Sequence, residues 1–524
     1  MTASYNLSQL GSQYNQGGTG AVARTTASKL QESVSVLDFG ADPTGSTDST
    51  TAIQNAINAV GNGGNVIFPT GTYSASNITL PATVTLRGQT RNTSIIKANS
   101  SGSSDYLIAT YTYVNNVNGA DANCRLVDLV VNANNLKTKA VAWKGYYGNV
   151  EGCRIFGGNT YDVYVTTVSL NGSTGIPGSM VNNRWALNWI GDAQDYGLTQ
   201  PTYNFYVNSP EKKATDQIFV DNYVSSATTN MQVDTAAGLI VEGNHFYGAT
   251  TNLYAQSGVI GFTCVGNYFE NDVQLTNWTS GYPSVTFGPG NTILGNVYMG
   301  FGSTLTSSVS VGNHYYATGQ LRPNYNDASK ITYSIGDTFD NTTPVAFYSN
   351  GSVAASSAAK IVAQNSVLGA TGTVWNGAFT GPTLQFFSQG SGALLAPSPV
   401  YSGHSALYFS GVTTGSFSTV VSIPFSDTGG NYFPVNIQIS VQLGTSWTGN
   451  TVQYFGDAMV ITQYPSGTLH VNLSNITYTS GQWTTPPAIA LSQSGGILTI
   501  TVTGTATLSS GSTYEGNVLV KAFT

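Results

Sequence analysis

Apolar and polar residues alternate in short runs along most of the chain, and turn residues break the runs every few positions. Ser33-Val-Ser-Val-Leu-Asp-Phe-Gly-Ala-Asp-Pro-Thr-Gly45 reads as a short strand closed by a Pro/Gly turn. One stretch departs from period two. Ala52, Ile53, Ala56, Ile57 and Val60 recur at helical spacing and predict a helix over Ser46–Val60, capped by Ser46 or Asp48 and ended by Gly61-Asn-Gly-Gly64. Strands are predicted next at Val66–Phe68, Ile78–Leu80 and Val84–Leu86.

From about residue 120 to 340 an irregular repeat appears, apolar-x-(Gly/Asn/Asp)-Asn-x-aromatic. Its instances are Val181-Asn-Asn-Arg-Trp185, Val220-Asp-Asn-Tyr-Val224, Val241-Glu-Gly-Asn-His-Phe246, Val265-Gly-Asn-Tyr-Phe269, Leu294-Gly-Asn-Val-Tyr298, Val311-Gly-Asn-His-Tyr315 and Ile335-Gly-Asp-Thr-Phe339. The key Asn or Asp stands at 183, 222, 244, 267, 296, 313 and 337, so the interval varies from 17 to 39 residues. Propeller blades and helical repeats keep a tighter period. A parallel β-helix tolerates the scatter, because each coil stacks only on its neighbours and carries loops of any length at its corners. Inward alternation lets Trp185, Phe246, Phe269, Tyr298, Tyr315 and Phe339 stack coil on coil. An Asn at each corner accepts the left-handed conformation and can bond backbone groups at the bend, forming an amide ladder. The competing reading is a β-sandwich in which the Asn-Gly pairs are hairpin turns.

Residues 1–32 are polar and Gly-rich and read as an arm. After 345 the Asn repeat stops, and Gly351–Ala359 is rich in Ser and Ala. Segments such as Pro434–Leu443 and Gly496–Thr503 then alternate, with turns about every ten residues, predicting a jelly-roll-like sandwich. The expected divisions are therefore 1–32, 33–345 and 346–524.

Composition sharpens the picture. Charged residues are 8% of 524, against about 25% in ordinary globular proteins, while Tyr alone numbers 31. A surface of hydroxyls, amides and rings suits a protein that meets sugars. A net charge of −7 without a basic tract argues against nucleic acid. Cys124, Cys153 and Cys264 give neither a disulfide framework nor metal-ligand spacing. No apolar run approaches the roughly 18 residues of a membrane span, and the first ten residues lack the regions of a secretory signal. The expectation is a soluble chain made in a cytoplasm, with no membrane insertion, metal or cofactor.

Ser35-Val-Leu-Asp-Phe-Gly-Ala-Asp-Pro-Thr-Gly-Ser-Thr-Asp48, Thr51-Ala-Ile-Gln-Asn-Ala-Ile57, Gly64-Asn-Val-Ile-Phe-Pro-Thr-Gly-Thr-Tyr73 and Val84-Thr-Leu-Arg-Gly88 closely resemble the N-terminal cap of the pectate-lyase-like β-helix superfamily. Gly20–Val34 is similar to the segment leading into this cap in bacteriophage tail proteins. Together they resemble phage tailspikes, the capsule or O-antigen depolymerases. The match is specific over about 20–90, general across the repeats and weak after 345. The resemblance implies an all-β protein: a right-handed parallel β-helix with a small N-terminal helix cap and a C-terminal β-sandwich for trimer assembly or sugar binding. It implies a homotrimer in the virion, joined to the phage tail or baseplate through the arm, with a bacterial surface polysaccharide as partner and substrate. The polygalacturonase residue set is absent, since Arg154-Ile155 leads to Phe156 and His404 sits in Ser-Gly-His-Ser. Arg322-Pro323 leads to Asn324-Tyr325-Asn326, not to a calcium pectate-lyase motif.

Glycosidic hydrolysis uses two carboxyl groups, one giving a proton and one activating water or attacking the sugar. Asp192 and Asp195 stand three apart in a loop after Trp185 and Trp189, whose indoles offer a stacking floor. Glu270 and Asp272 follow Phe269 on one side of a strand, ahead of Trp278. Glu242 falls in an otherwise apolar column, where burial would raise its pKa, although Val150-Glu-Gly-Cys153 repeats the pattern and points equally to an exposed corner. These five acids are the candidate catalytic groups; Asp216 and Asp234 rank behind them. Candidate sugar-binding residues are Trp185, Trp189, Tyr223, His245, Tyr268 and Trp278. A lyase would use Tyr, His or Lys as base and a cation to hold a uronate: Tyr223, His245, Tyr268 and His314 share a column, and Lys137, Lys139 and Lys144 lie beside aromatics. A non-catalytic adhesin is the third possibility.

Overall fold

The computed structural model describes residues 13–30, 32–61, 63–172, 180–210, 214–278, 284–301, 307–323 and 331–341, and beyond these the backbone of strands between 347 and 522. The chain divides into two compact units, Met1–Tyr282 and Pro283–Thr524.

The first unit is a parallel β-helix with three faces. The first face stacks Ser33–Ser35, Gly64–Phe68, Val84–Gly88, Arg125–Val127, Asn149–Glu151, Arg184–Ala186 and Ile218–Val220, all parallel. The second stacks Thr44–Asp48, Gly71–Ala75, Ser94–Ala98, Val130–Asn132, Arg154–Phe156, Trp189–Gly191, Tyr223–Ser225, His245–Tyr247 and Tyr268–Phe269. The third runs from Ile78–Leu80 through Tyr106–Thr110, Lys139–Trp143, Tyr161–Thr166 and Tyr203–Asn208. The later strands Thr229–Glu242 and Thr251–Val265 are long enough to pass from the third face into the first without a break.

The predicted helix forms over a shorter span, Thr50–Ala59, with Ser49 at its N-cap. Residues 44–48 are instead a strand of the second face. Asp48 accepts from the backbone N–H of Thr50 (2.9 Å), and Ile53, Ala56 and Ile57 close the end of the prism.

The interior of the second face is one unbroken column: Tyr73, Ile96, Val131, Ile155, Ile190, Val224, Phe246 and Phe269, each fully buried. Every deeply buried side chain of this size contributes roughly 1.5–3 kcal/mol. Trp185 is also interior, but on the first face, edge-on to Trp143 (5.4 Å) and Phe205 (5.0 Å).

Between the first and second faces runs the amide ladder. Asn188 donates from its backbone and side-chain N–H to Oδ1 of Asn222 (both 3.0 Å). Asn222 does the same to Asn244 (2.9 and 3.0 Å), and Asn244 to Asn267 (2.9 and 3.0 Å). Each side chain also donates to a carbonyl of the preceding coil, as Asn222 does to Trp185 (2.9 Å). Two features differ from the sequence reading. Asn183 is not a rung; it accepts from Trp143 Nε1 and Gly148 and donates to Gly145, pinning a different loop. The left-handed residue is not the Asn but the one before it: Leu187, Asp221, Gly243 and Gly266 all have φ between 53° and 65°.

The second unit contains parallel coils of its own. Asn291 donates to Asn313 and Asn313 to Asp337, with Ile293, Tyr315 and Phe339 inside. Asn291, not Asn296, is the rung here, and Tyr298 faces outward under Arg322 (5.4 Å). Parallel pairing runs on to Leu384–Phe387. Beyond it stand an antiparallel five-stranded sheet and an antiparallel three-stranded one, formed by strands between His404 and Ala522.

The ladder leads to two stability outcomes. Asn244→Ala removes the acceptor of both Asn222 amides and the donor to Phe219, and is expected to cost on the order of 2–4 kcal/mol. Glu242→Ala beside it should stay within about 0.5 kcal/mol. Thermal unfolding of the two variants measures the contrast. Asp337 carries a pKa raised from 3.8 to about 6, chiefly by burial. The fold therefore keeps a proton there that the unfolded chain has already lost, so stability falls as pH rises from about 4 to about 6 and levels off above. Asp337→Asn is expected to flatten that slope, read as the melting temperature against pH.

Candidate functional site

The corner Asn residues set the register of the strands that leave them. One position beyond each rung a side chain points out of the second face, so Trp189, Tyr223, His245 and Tyr268 line up one per coil. Their ring centroids are 5.1, 5.2 and 4.4 Å apart in succession, a continuous aromatic row along the prism. Arg154 extends the row by one coil. Its guanidinium lies 4.3 Å from the Trp189 centroid, 4.8 Å from Tyr196 and 5.5 Å from Phe156.

The acids gather at the far edge of this face. After Trp189-Ile-Gly191 the chain turns left-handed at Asp192 and makes one turn of 3-10 helix, Ala193–Tyr196. Asp192 is 7% exposed and accepts from Trp189 Nε1 (2.7 Å) and Ser226 Oγ (2.8 Å). Asp195 is open to solvent and stands 3.6 Å from Arg154. Three coils on, Glu270 reaches back to accept from the backbone N–H of Gly248 (2.8 Å). The segment after Asp195 rises into a wall, Thr199–Pro201, and the tight corners Ala227–Thr228, Gly248–Thr250 and Asn271 form the floor of a cleft of about 810 Å³.

Electrostatics tie the two edges together. Burial raises the Tyr223 pKa, and both Asp192 and Glu270 push it further up. Burial lowers that of His245 below its ordinary 6.5, against the opposing pull of Glu270. Tyr268 is raised by burial and by Glu270.

The structure brings together Asp192, Asp195, Glu270, Trp189, Tyr223, His245 and Tyr268. It separates the others. Trp185, 1% exposed, belongs to the core and cannot meet a sugar. Glu242 points outward from the first face between Val220 and Val265, so the exposed-corner reading holds and the apolar column is an outer one. Asp272 begins a strand of the third face, in register with Thr251. Trp278 ends that strand, and its side chain lies outside the described residues, as does Tyr282. Lys137 and Lys144 are 1% exposed; Lys137 donates to Ser76, Ser101 and Ser103, and Lys144 to Ser169 and Val117. Neither grips a ligand. Arg154 and Tyr196 escape the sequence reading, because the rings around the guanidinium come from three separate segments. Among the described residues no group of His, Cys, Asp and Glu is placed to hold a metal, and no helix is long and apolar enough to cross a membrane.

Comparison with known proteins fits this architecture. Residues 33–283 match the family described as rhamnogalacturonase A/epimerase, pectate lyase-like. A stretch of 76 residues is 41% identical to the tail spike protein of Shigella phage Sf6, covering 13% of this chain and only 12% of that protein. Among solved structures, the tailspike of E. coli bacteriophage HK620 in complex with pentasaccharide aligns over 97% of this chain and 96% of its own, at 14% identity and a TM-score of 0.37. The tailspike of Acinetobacter baumannii bacteriophage Fri1, a capsular polysaccharide depolymerase, aligns over 95% and 87% at 10% identity and 0.39. By its coils the segment 33–283 is a parallel β-helix, and over that span it matches the model of the pectate lyase-like family.

Proposed function

We propose that this chain is a phage tailspike that binds a bacterial surface polysaccharide on the second face and cuts it by endo-glycosidic hydrolysis, with Asp192 and Glu270 as the carboxyl pair. The observation that carries this reading is that both acids flank one aromatic row and both act on Tyr223, while the groups they bond, Ser226 and Gly248, stand beside or within the lining of the cleft. Their backbones are three coils apart, but Asp192 leans forward to Ser226 and Glu270 back to Gly248, one coil from each other. That leaves the carboxyl groups roughly 5–10 Å apart, within the range glycosidic displacement uses. Glu270 has an oxygen without a partner among the described residues and is the carboxyl group on one side of the cleaved bond. Asp192, fixed by two donors, is the carboxylate opposite, and Trp189 and Tyr223 floor the sugar. The 41% identical stretch shared with a phage tail spike protein supports a phage-tail setting; in this reading the chain is a homotrimer in the virion, made in the host cytoplasm and joined to the tail through residues 1–32.

A lyase is a second reading because His245, with its pKa lowered by burial, stands between two tyrosines where a base is needed. Digestion of purified bacterial surface polysaccharides separates the readings. Hydrolysis releases reducing ends without ultraviolet absorbance, elimination releases an absorbing unsaturated uronate, and an adhesin releases nothing.

With hydrolysis, Asp192→Asn and Glu270→Gln are each expected to lose on the order of 10²–10⁴ of the rate, while Glu242→Gln and Asp272→Asn keep it. Retention of activity within about tenfold by both Asp192→Asn and Glu270→Gln would overturn the assignment. The His245 titration gives an independent check, since the chain has only four histidines. Removing the Glu270 charge is expected to move its midpoint further down in pH, seen by NMR of the ring Cε1–H.

A further inference from the structure

Around the corner from the cleft, the third face carries a second aromatic surface that the cutting site does not use. Tyr161 and Tyr203 pair in register with rings stacked at 5.4 Å and 14°, and Tyr164 and Tyr206 do so at 5.6 Å and 12°. Cross-contacts of 4.9 to 5.2 Å between the pairs lock the four rings into one block. Each ring is fixed by its neighbours, so ordering them on a ligand costs little entropy.

The polar groups of the block define what it fits. Lys139 lies beneath, 5.3 Å from the Tyr164 centroid, and its charge is cancelled by Asp105 at 2.6 Å. Asp234 accepts from the Tyr206 hydroxyl and from Gln232 Nε2 (2.8 Å), and Asn208 donates to the Tyr164 hydroxyl (3.4 Å). The Tyr161 and Tyr203 hydroxyls have no partner among the described residues. The surface thus offers ring edges, free phenol donors, an amide and one carboxylate acceptor, with no unpaired cation among the described residues to draw an anion. Hydroxyl-rich, uncharged sugar rings match that set. The surface is also continuous with the cleft. Pro201 and Thr228, which line the cleft, lead within two residues into Tyr203 and Thr229, which pair with each other across the third face.

We infer that Tyr161, Tyr164 and Tyr203, braced by the buried ring of Tyr206, form a second glycan-binding site, which holds uncharged sugar units of the polysaccharide beyond the cutting site. The site rests on the glycan-processing reading above, and one experiment tests them separately. Fluorescently labelled protein is applied to an array of purified bacterial capsular and O-antigen polysaccharides, using Glu270→Gln as the parent so that bound chains stay uncut. In that parent, Tyr161→Ala with Tyr203→Ala is expected to weaken binding by about tenfold or more. Tyr161→Phe with Tyr203→Phe, which keeps the stack and removes only the free hydroxyls, is expected to weaken it severalfold at an unchanged melting temperature. If the parent binds and both double variants match it while Tyr223→Ala does not, the second site is overturned and the cutting site stands. If the variants instead alter the sedimentation coefficient, the tyrosine block is a contact between copies of the chain. If the parent binds no polysaccharide, the glycan reading itself fails.

Discussion

A chain that winds into coils must bend its backbone between strands, and each bend strands N–H and C=O groups away from the sheets on either side. Buried without partners, each such group costs about 1–3 kcal/mol. Asn is suited to this place because its amide both donates and accepts, so the same residue can occupy successive coils and hand the bond on. The rungs Asn188, Asn222, Asn244 and Asn267 pass the bond from coil to coil, each accepting from the rung before where there is one and donating to a carbonyl behind. The left-handed residue ahead of each rung does the turning, which is why Gly or Asp recurs there. Coil stacking, the interior column and the outer aromatic row all inherit their register from this ladder.

The outer row is therefore a consequence of the core. Once the rungs align, the residue after each must align too, whatever its chemistry. Trp, Tyr, His and Tyr at those positions turn a structural necessity into a surface of stacked rings. Catalytic possibility enters where the coil length changes. Asp192 opens a long excursion to Pro201, whereas the next corner, Ser225–Thr229, is tight. The excursion builds a wall over the floor left by the short corners. A shorter repeat of the same device steadies it from below, where Asn204 donates to Asn230 (2.8 Å) and to the Ser225 carbonyl (2.6 Å).

How much of this is legible in the sequence depends on whether a signal is local. The Asn-x-aromatic repeat is local, and it reveals coils, ladder and column. Its phase is less secure. Val181-Asn-Asn-Arg-Trp185 fits the template but lies one strand early, because strands of the first and second faces share the same alternation. Only the bonding partners distinguish Asn183, which pins the Gly145 loop, from Asn188, which is the rung. The same slip assigns Trp185 to the column of the second face, whereas it is buried on the first, where it cannot serve as the sugar floor that the sequence also offers it for. Glu242 shows the complementary difficulty: an apolar column is visible, but Val220 and Val265 line the outside. The cage around Arg154 is illegible in principle, since Phe156, Trp189 and Tyr196 are adjacent only after three bends.

The scarcity of charge makes physical sense in the same frame. Several of the few cations are spent inside, where one ammonium satisfies several acceptors at once: Lys137 donates to three oxygens, Ser76 Oγ and the carbonyls of Ser101 and Ser103. Burial lowers its pKa, so the bonds must outweigh the desolvation. Lys139 is matched by Asp105, and Arg154 is caged by rings with Asp195 nearby. Outer rows built by register are then left to Tyr, Thr, Asn and Gln. Such a surface attracts water only moderately and ions weakly, and its hydrogen-bonding groups recur at the coil spacing of about 4.8 Å. A long, hydroxylated, repetitive chain is the kind of molecule for which that periodicity gives many small contacts at once. A compact ligand would meet only one or two.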